Sequence, residues 1–336
     1  MKPKLALYWA SSCGGCEIAV VDIETKILDV ADFFDIVFWP CIMDFKYKDV
    51  EAMPDGDITL CFFNGAIRTS ENEHLAKLLR AKSKVMVAFG SCAHEGCIPG
   101  LANFYDKNSI FEFVYKNSPS VDEQSKGIYP VTVTKMPEGE IEIPEFWNTV
   151  KTLDQVVDVD YYIPGCPPQS FQIVNAVTAV IDILKNNKPL PPKGTVLGAG
   201  DKTCCDECPR ERKEKKIKRF YRPQEIIPDP NECLLDQGIM CMGPATRSGC
   251  DALCVKANIG CRGCYGAPPN VTDQGAKMVS ALSSVIDAQT PEEARKIMET
   301  LVDPLGTFYR FSMASSILKR VQPKTHLDSS GKPDFS

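Results

Sequence analysis

Histidine is scarce, with three in 336 residues, so a histidine-built catalytic metal site is not expected. No GxGxxG and no GxxxxGK[ST] occurs, which leaves nucleotide binding without sequence support. A GxSxG elbow and a paired-carboxylate signature are also missing. The longest apolar stretch, Phe171 to Leu184, is broken by Asn175 and Asp182 and is far too short to span a membrane. Basic residues are not in excess: the net charge of -6 argues against a general affinity for nucleic acid. No repeat of 20 to 50 residues is visible. The start, MKPKLALYWASSC, has two lysines and an apolar run too short for a secretory signal, and no twin arginine precedes it. It reads as a first β-strand, and the chain as a cytoplasmic one with thiols kept reduced unless they bind metal. With 44% hydrophobic and 24% charged residues, wholesale disorder is excluded.

What the chain has in abundance is cysteine, sixteen in all. A small disulfide-stapled domain is a poor fit for a chain of this length. Nine of the sixteen lie between Cys204 and Cys264. So sharp a shift in composition reads as a change of domain. The stretch 185–200, KNNKPLPPKGTVLGAG, is the natural linker. The expected units are therefore 1–194 and 195–336.

In the first unit, short β-type runs recur at Leu5–Trp9, Ile36–Trp39, Ile58–Phe63, Val85–Phe89, Tyr129–Thr134 and Tyr161–Ile163. Helical patterns lie between several of them, at Glu17–Val30, Glu71–Lys82 and Gln169–Leu184. Near-continuous apolar strands alternating with helices predict an α/β fold with a doubly wound parallel sheet. Cys13 and Cys16 follow the first strand in SSCGGCE, Cys92 follows VMVAF in GSCAHEG, and Cys166 follows YYI in PGCPP. All three loops leave the carboxyl ends of strands, where an open parallel sheet has its ligand crevice. Distant loops can thus deliver four thiolates to one place, suited to zinc or to an iron–sulfur cluster. Gly14 and Gly15 permit a tight turn between two ligands. Pro164, Pro167 and Pro168 stiffen the approach to Cys166. Cys16 opens a helix, whose positive end stabilises thiolate sulfur. A thioredoxin-like CxxC pair would explain neither Cys92 nor Cys166.

Other residues invite plainer readings. Cys41 and Cys61 lie on or beside apolar strands and read as buried core thiols. Cys97 reads as a spare thiol, with an alternative ligand as the other option. His94 reads as a group beside the site or on the surface. Glu17 is either a helix-start carboxylate or a proton-handling group, and the sequence favours the first.

The second unit has Cys205-x2-Cys208, twenty-four residues to Cys233, and seven more to Cys241; then come Cys250, Cys254 and Cys261-x2-Cys264. Eight of its nine cysteines divide into two sets of four: Cys205, Cys208, Cys233, Cys241 and Cys250, Cys254, Cys261, Cys264. Cys204 is left over and could exchange roles with Cys205. Gly- and Pro-rich Pro223–Pro269 is expected to bury little apolar surface, so bound metals would hold it together. Tandem zinc knots compete here. The basic run Pro209–Arg222 reads as a solvated helix face, or otherwise as a docking surface for an acidic partner. After Thr272 helices are expected at Asp273–Ala288, Pro291–Val302 and Phe308–Val321, with a frayed tail from Lys324.

SSCGGCE, GSCAHEG, PGCPP and GPATRSGC…C……CRGCYG together resemble the small subunit of nickel–iron hydrogenases, over roughly residues 4 to 290. Within that family the chain is most similar to the cytoplasmic methyl-viologen-reducing group of methanogenic archaea, which does not reduce the deazaflavin coenzyme. The resemblance implies a flavodoxin-like N-terminal domain and three 4Fe-4S clusters in a line. The proximal cluster would use Cys13, Cys16, Cys92 and Cys166. The distal one would use Cys205, Cys208, Cys233 and Cys241, with Cys205 standing where many members have histidine. The medial one would use Cys250, Cys254, Cys261 and Cys264, with Cys254 where many members have proline. The implied role is non-catalytic: to relay electrons from hydrogen oxidation in a separate large subunit to a small iron–sulfur partner that feeds a heterodisulfide reductase. A quinone-reductase-type iron–sulfur subunit and a non-redox multi-zinc scaffold are the alternatives. The former carries one cluster with adjacent cysteines and lacks a cysteine-rich second domain.

Overall fold

The computed structural model describes residues 2–213 and 217–318. Six strands form the central sheet: β1 (Lys4–Trp9), β2 (Asp35–Phe38), β3 (Ile58–Asn64), β4 (Ser83–Phe89), β5 (Tyr161–Ile163) and β6 (Thr195–Val196). All pair in parallel, in the order β2-β1-β3-β4-β5-β6. The first five follow the flavodoxin-like doubly wound order.

Side chains alternate across the sheet and feed two cores. Ala6, Tyr8, Cys61 and Phe63 pack on one face with Leu75 and Leu79 of α3 (Ser70–Lys82). Leu5, Leu7, Leu60 and Phe62 pack on the other, against α1 (Gly15–Val21), α2 (Lys26–Phe33) and α4 (Ser170–Asn186). α3 starts where the pattern predicts because Thr69 caps it, accepting the Asn72 N–H at 3.2 Å.

Four local expectations are corrected. Glu17–Val30 is two helices, α1 and α2, with Glu24 at φ +55 between them. The β-branched run Val20, Val21, Ile23, Thr25 weakens a continuous helix there. Tyr129–Thr134 adds no strand to the sheet; Val133–Met136 instead pairs with Gly139–Glu142 in an exposed hairpin. The expected linker contains β6, where the Leu197 N–H also reaches the Tyr162 carbonyl at 2.7 Å. Phe308–Val321 is not a long helix. The chain turns repeatedly from Tyr309 to Ile317, because Phe311, Met313 and Ala314 are drawn into the interior. Residues 319–321 and the expected tail from Lys324 lie outside the described residues.

Among its described residues the cysteine-rich region holds isolated bridges and short helical turns, followed by α5 (Gln274–Ser283), α6 (Pro291–Met298) and α7 (Pro304–Phe308). It buries more apolar surface than its composition suggests. Leu234, Leu235, Ile239 and Val255 meet Met278, Leu282 and Ile297 from the C-terminal helices in one core. The Pro209–Arg222 run forms no helix among its described residues. Arg210 is buried, clamping the carbonyls of Val255, Asp229 and Glu232 and the Asn258 side chain.

Candidate functional site

The loops after β1, β4 and β5 meet at one edge of the sheet. Cys13 is exposed in the first, and Cys16 is buried in the opening turn of α1. Cys92 is buried in the turn Ser91–Glu95, and Cys166 is exposed after β5. Cys16 lies within electrostatic reach of Cys13 and Cys166. Gly90 sits at φ +80, and a β-carbon there would run into the Cys16 sulfur, so its glycine lets the β4 loop close over that thiol. Burial pushes the Cys16 thiol pKa up, reinforced by Glu17, Cys166 and Cys13.

Glu17 is buried beside it. Asn64 at the end of β3 donates to Glu17 Oε2 at 2.6 Å, and Oε1 has no partner. Burial lifts the carboxyl to about 7, against its own backbone N–H and the Asn64 amide. The group is thus both a helix-start carboxylate and one able to hold a proton near neutrality.

A fifth thiol enters this site: Cys97 is fully buried with Sγ 3.6 Å from Cys166 Sγ, and it also reaches Cys92. Cys61 is a core thiol as expected, but Cys41 is exposed, because the chain turns outward after Trp39. His94 is half-buried beside the site. Its ring packs on Tyr162 at 4.7 Å, Nδ1 has no partner, and burial lowers its pKa to about 4 against the pull of Asp154. Glu95, which sequence reasoning missed, is buried where the two regions meet. Burial raises it to about 8, opposed by the Ala267 N–H and Arg247. Its position inside GSCAHEG was the one available signal.

In the cysteine-rich region, Cys254 and Cys264 each lie within electrostatic reach of Cys250 and Cys261. The Cys204 thiol lies close to Cys250 and Cys261. Its neighbour Cys205 lies nearer Cys208 and Cys233, although Cys204 also lines that cavity and Cys205 also feels Cys261. Successive residues of a helical turn point about 100° apart, which explains the split. Cys205, Cys208, Cys233 and Cys241 line one cavity, with Arg212 beside it. A β-carbon on Gly243 would stand 3.0 Å from Cys205 Sγ and 3.5 Å from Cys241 Sγ, so a side chain there would crowd the Cys205 thiol. Arg212 donates to the Cys205 carbonyl at 2.6 Å. Burial pushes the Cys205 thiol to about 11, and Arg212 opposes it.

The three groups adjoin. Cys264 lies next to Cys166, and Cys241 Sγ accepts the Cys261 N–H at 3.3 Å. Ser91 donates its hydroxyl to the Cys264 carbonyl and accepts the Gly165 N–H at 3.3 Å.

None of the sixteen cysteines is in a disulfide. Among the described residues, no three His, Cys, Asp or Glu side chains stand close enough to grip a single ion. Tetrahedral zinc with bonds near 2.3 Å needs sulfurs about 3.8 Å apart. Iron–sulfur clusters are held by thiolates, and these donor sets are cysteine throughout.

An apolar groove of about 500 Å³ lies elsewhere, between α4 and the sheet, with Lys84 and Lys188 among its lining. No thiol reaches it. No helix among the described residues is long and apolar enough to cross a membrane.

Residues 13–180 match the family described as NADH ubiquinone oxidoreductase, 20 Kd subunit. The F420-non-reducing hydrogenase iron-sulfur subunit of Archaeoglobus profundus is 42% identical over 95% of this chain and 99% of its own length. An F420-non-reducing hydrogenase subunit of Methanothermobacter thermautotrophicus is 34% identical over 94% of this chain and 96% of its own. Among solved structures, the [NiFeSe] hydrogenase from Desulfovibrio vulgaris Hildenborough is a distant likeness, at 17% identity, covering 82% of this chain and 96% of that one with a TM-score of 0.49.

Proposed function

This chain belongs to the family of F420-non-reducing hydrogenase iron–sulfur subunits, and from that premise we propose that it is the electron-transfer subunit of a nickel–iron hydrogenase, built to hold three 4Fe-4S clusters. When bound, such clusters supply one-electron transfer. The observation that carries the reading is the unbroken succession of thiol groups, from exposed Cys13 through the Cys166–Cys264 and Cys261–Cys241 contacts to Cys208 and Cys233.

The chain's own residues define the roles. Cys13, Cys16, Cys92 and Cys166 hold the proximal position, Cys250, Cys254, Cys261 and Cys264 the medial one, and Cys205, Cys208, Cys233 and Cys241 the distal one. Exposed Trp9, Ile18, Val21 and Ile42 lie on the segments around Cys13, an apolar surface suited to burial against the large subunit. Glu17, beside Cys16, is placed to hold a proton at that contact. At the far end, half-buried Cys205, Cys208 and Cys233 beside exposed Arg212 offer a basic rim to a small iron–sulfur acceptor that feeds heterodisulfide reductase. A cytoplasmic setting suits thiols that stay reduced.

The quinone-reductase family match ends at residue 180 and leaves nine cysteines unexplained, whereas the hydrogenase relatives match nearly the whole chain. Anaerobically purified complex is expected to hold about twelve irons and as much acid-labile sulfide in this subunit. Cys166→Ala should remove about a third of that iron and abolish electron flow. A colourless zinc protein, or full iron content in Cys166→Ala, rejects the reading.

A further inference from the structure

Cys97 stands outside the twelve thiols assigned above, yet it is fully buried among them. Its backbone sits at φ +46, the left-handed region where glycine is at ease and a β-carbon is strained. The Cys97 N–H is fastened to the Phe311 carbonyl at 2.9 Å, and Phe311 packs with Cys92 and Cys97 in one small cluster that Cys264 adjoins. Strain kept at a functional site signals that the side chain contributes something glycine could not. The contribution is legible in the contact: Cys97 Sγ lies 3.6 Å from Cys166 Sγ, a hydrogen-bonding distance for sulfur.

We propose that Cys97 is a neutral thiol that donates an S–H···S hydrogen bond to the Cys166 sulfur and so sets the reduction potential of the proximal cluster. This rests on the reading that Cys166 is an iron ligand. A ligand thiolate carries no proton and can only accept, so the donor must be Cys97. A hydrogen bond to a ligand sulfur draws electron density off it and favours the reduced, more negative state, which raises the potential. Cys97 is therefore a positioning residue acting through Cys166. Cys204, another thiol outside the twelve, meets Cys250 and Cys261 in a similar way at the medial group.

The test is an EPR-monitored potentiometric titration of the intact complex carrying Cys97→Gly, with iron, acid-labile sulfide and thermal midpoint measured alongside. The expected result is a downward shift in the midpoint of the cluster that vanishes in Cys166→Ala. The other two should hold still, iron and sulfide should be unchanged, and thermal stability should change little, because relief of the φ +46 backbone offsets the lost burial. Cys97→Ser retains a donor and should return the potential toward that of the unsubstituted protein. An unmoved midpoint in Cys97→Gly overturns the proposal. Loss of iron or sulfide in that variant also overturns it, by showing that Cys97 is itself a ligand. Full iron content in Cys166→Ala would instead bring down the ligand assignment beneath it.

Discussion

In the sheet region, Cys13 and Cys166 lie exposed on the rim, and only Cys16 of the four assigned thiols joins the two main cores, which are built of residues such as Leu5, Leu7, Phe63 and Leu75. In the cysteine-rich region, Cys204, Cys241 and Cys261 are themselves members of the core, packed with Leu234, Met242 and Val255. The first region can form its frame before any thiol is used. The second has its thiols where a smaller domain would have valine or leucine, so ligand chemistry and folding are harder to separate there. The difference shows two ways to place a thiolate: on loops projecting from a rigid scaffold, or inside packing that the ligand completes.

The severest challenge to this contrast is removal of iron. Chelation of the anaerobic protein is expected to abolish hydrogen-exchange protection around Leu234, Cys241 and Cys261 while amides of β1, β3 and β4 stay protected. Equal loss in both regions would erase the distinction. A second challenge comes from the apolar side of the cysteine-rich core. Leu282 of α5 is almost wholly buried there, and Leu282→Ala is expected to cost about 2–5 kcal/mol, read from denaturant unfolding of the iron-loaded protein. A negligible cost would show that the cofactors alone hold the region.

A subtler probe is Glu95, at the boundary between the two. Its folded pKa of about 8 lies above the ordinary 4.5, so the folded state holds its proton more tightly than the unfolded state. Stability from this group is full below about 4.5 and declines as pH rises through about 8. Glu95→Gln should flatten that decline, a difference of up to a few kcal/mol at pH 8 between thermal melts of the two proteins. Parallel pH curves would show that the carboxyl is not held between the regions as described.

The sheet was legible because buried parallel strands are apolar almost throughout; β3 and β4 declare themselves in ITLCFF and VMVAF. β6 was not, since two residues in a Pro- and Gly-rich run carry no periodicity, and only the partner strand makes them extended. Tyr129–Thr134 misled in the opposite sense: its β-prone residues belong to an exposed arm. The thiol motifs stood out because loops after parallel strands share an edge, so sequence order translates into proximity. The orientation of Cys204 against Cys205 could not be read from two adjacent identical residues. Nor could the surroundings of half-buried His94 and buried Glu95, which depend on Tyr162, Arg247 and Ala267 arriving from elsewhere in the chain.

One hydroxyl has an outsized mechanical effect. Ser91 touches three segments at once, its own loop, the Gly165 turn and the Cys264 carbonyl, and it is almost completely enclosed. It acts as a rivet rather than a hinge. Sliding one half along the other would break its bond to the Cys264 carbonyl, so this hydroxyl helps fix the spacing between the Cys166 and Cys264 loops.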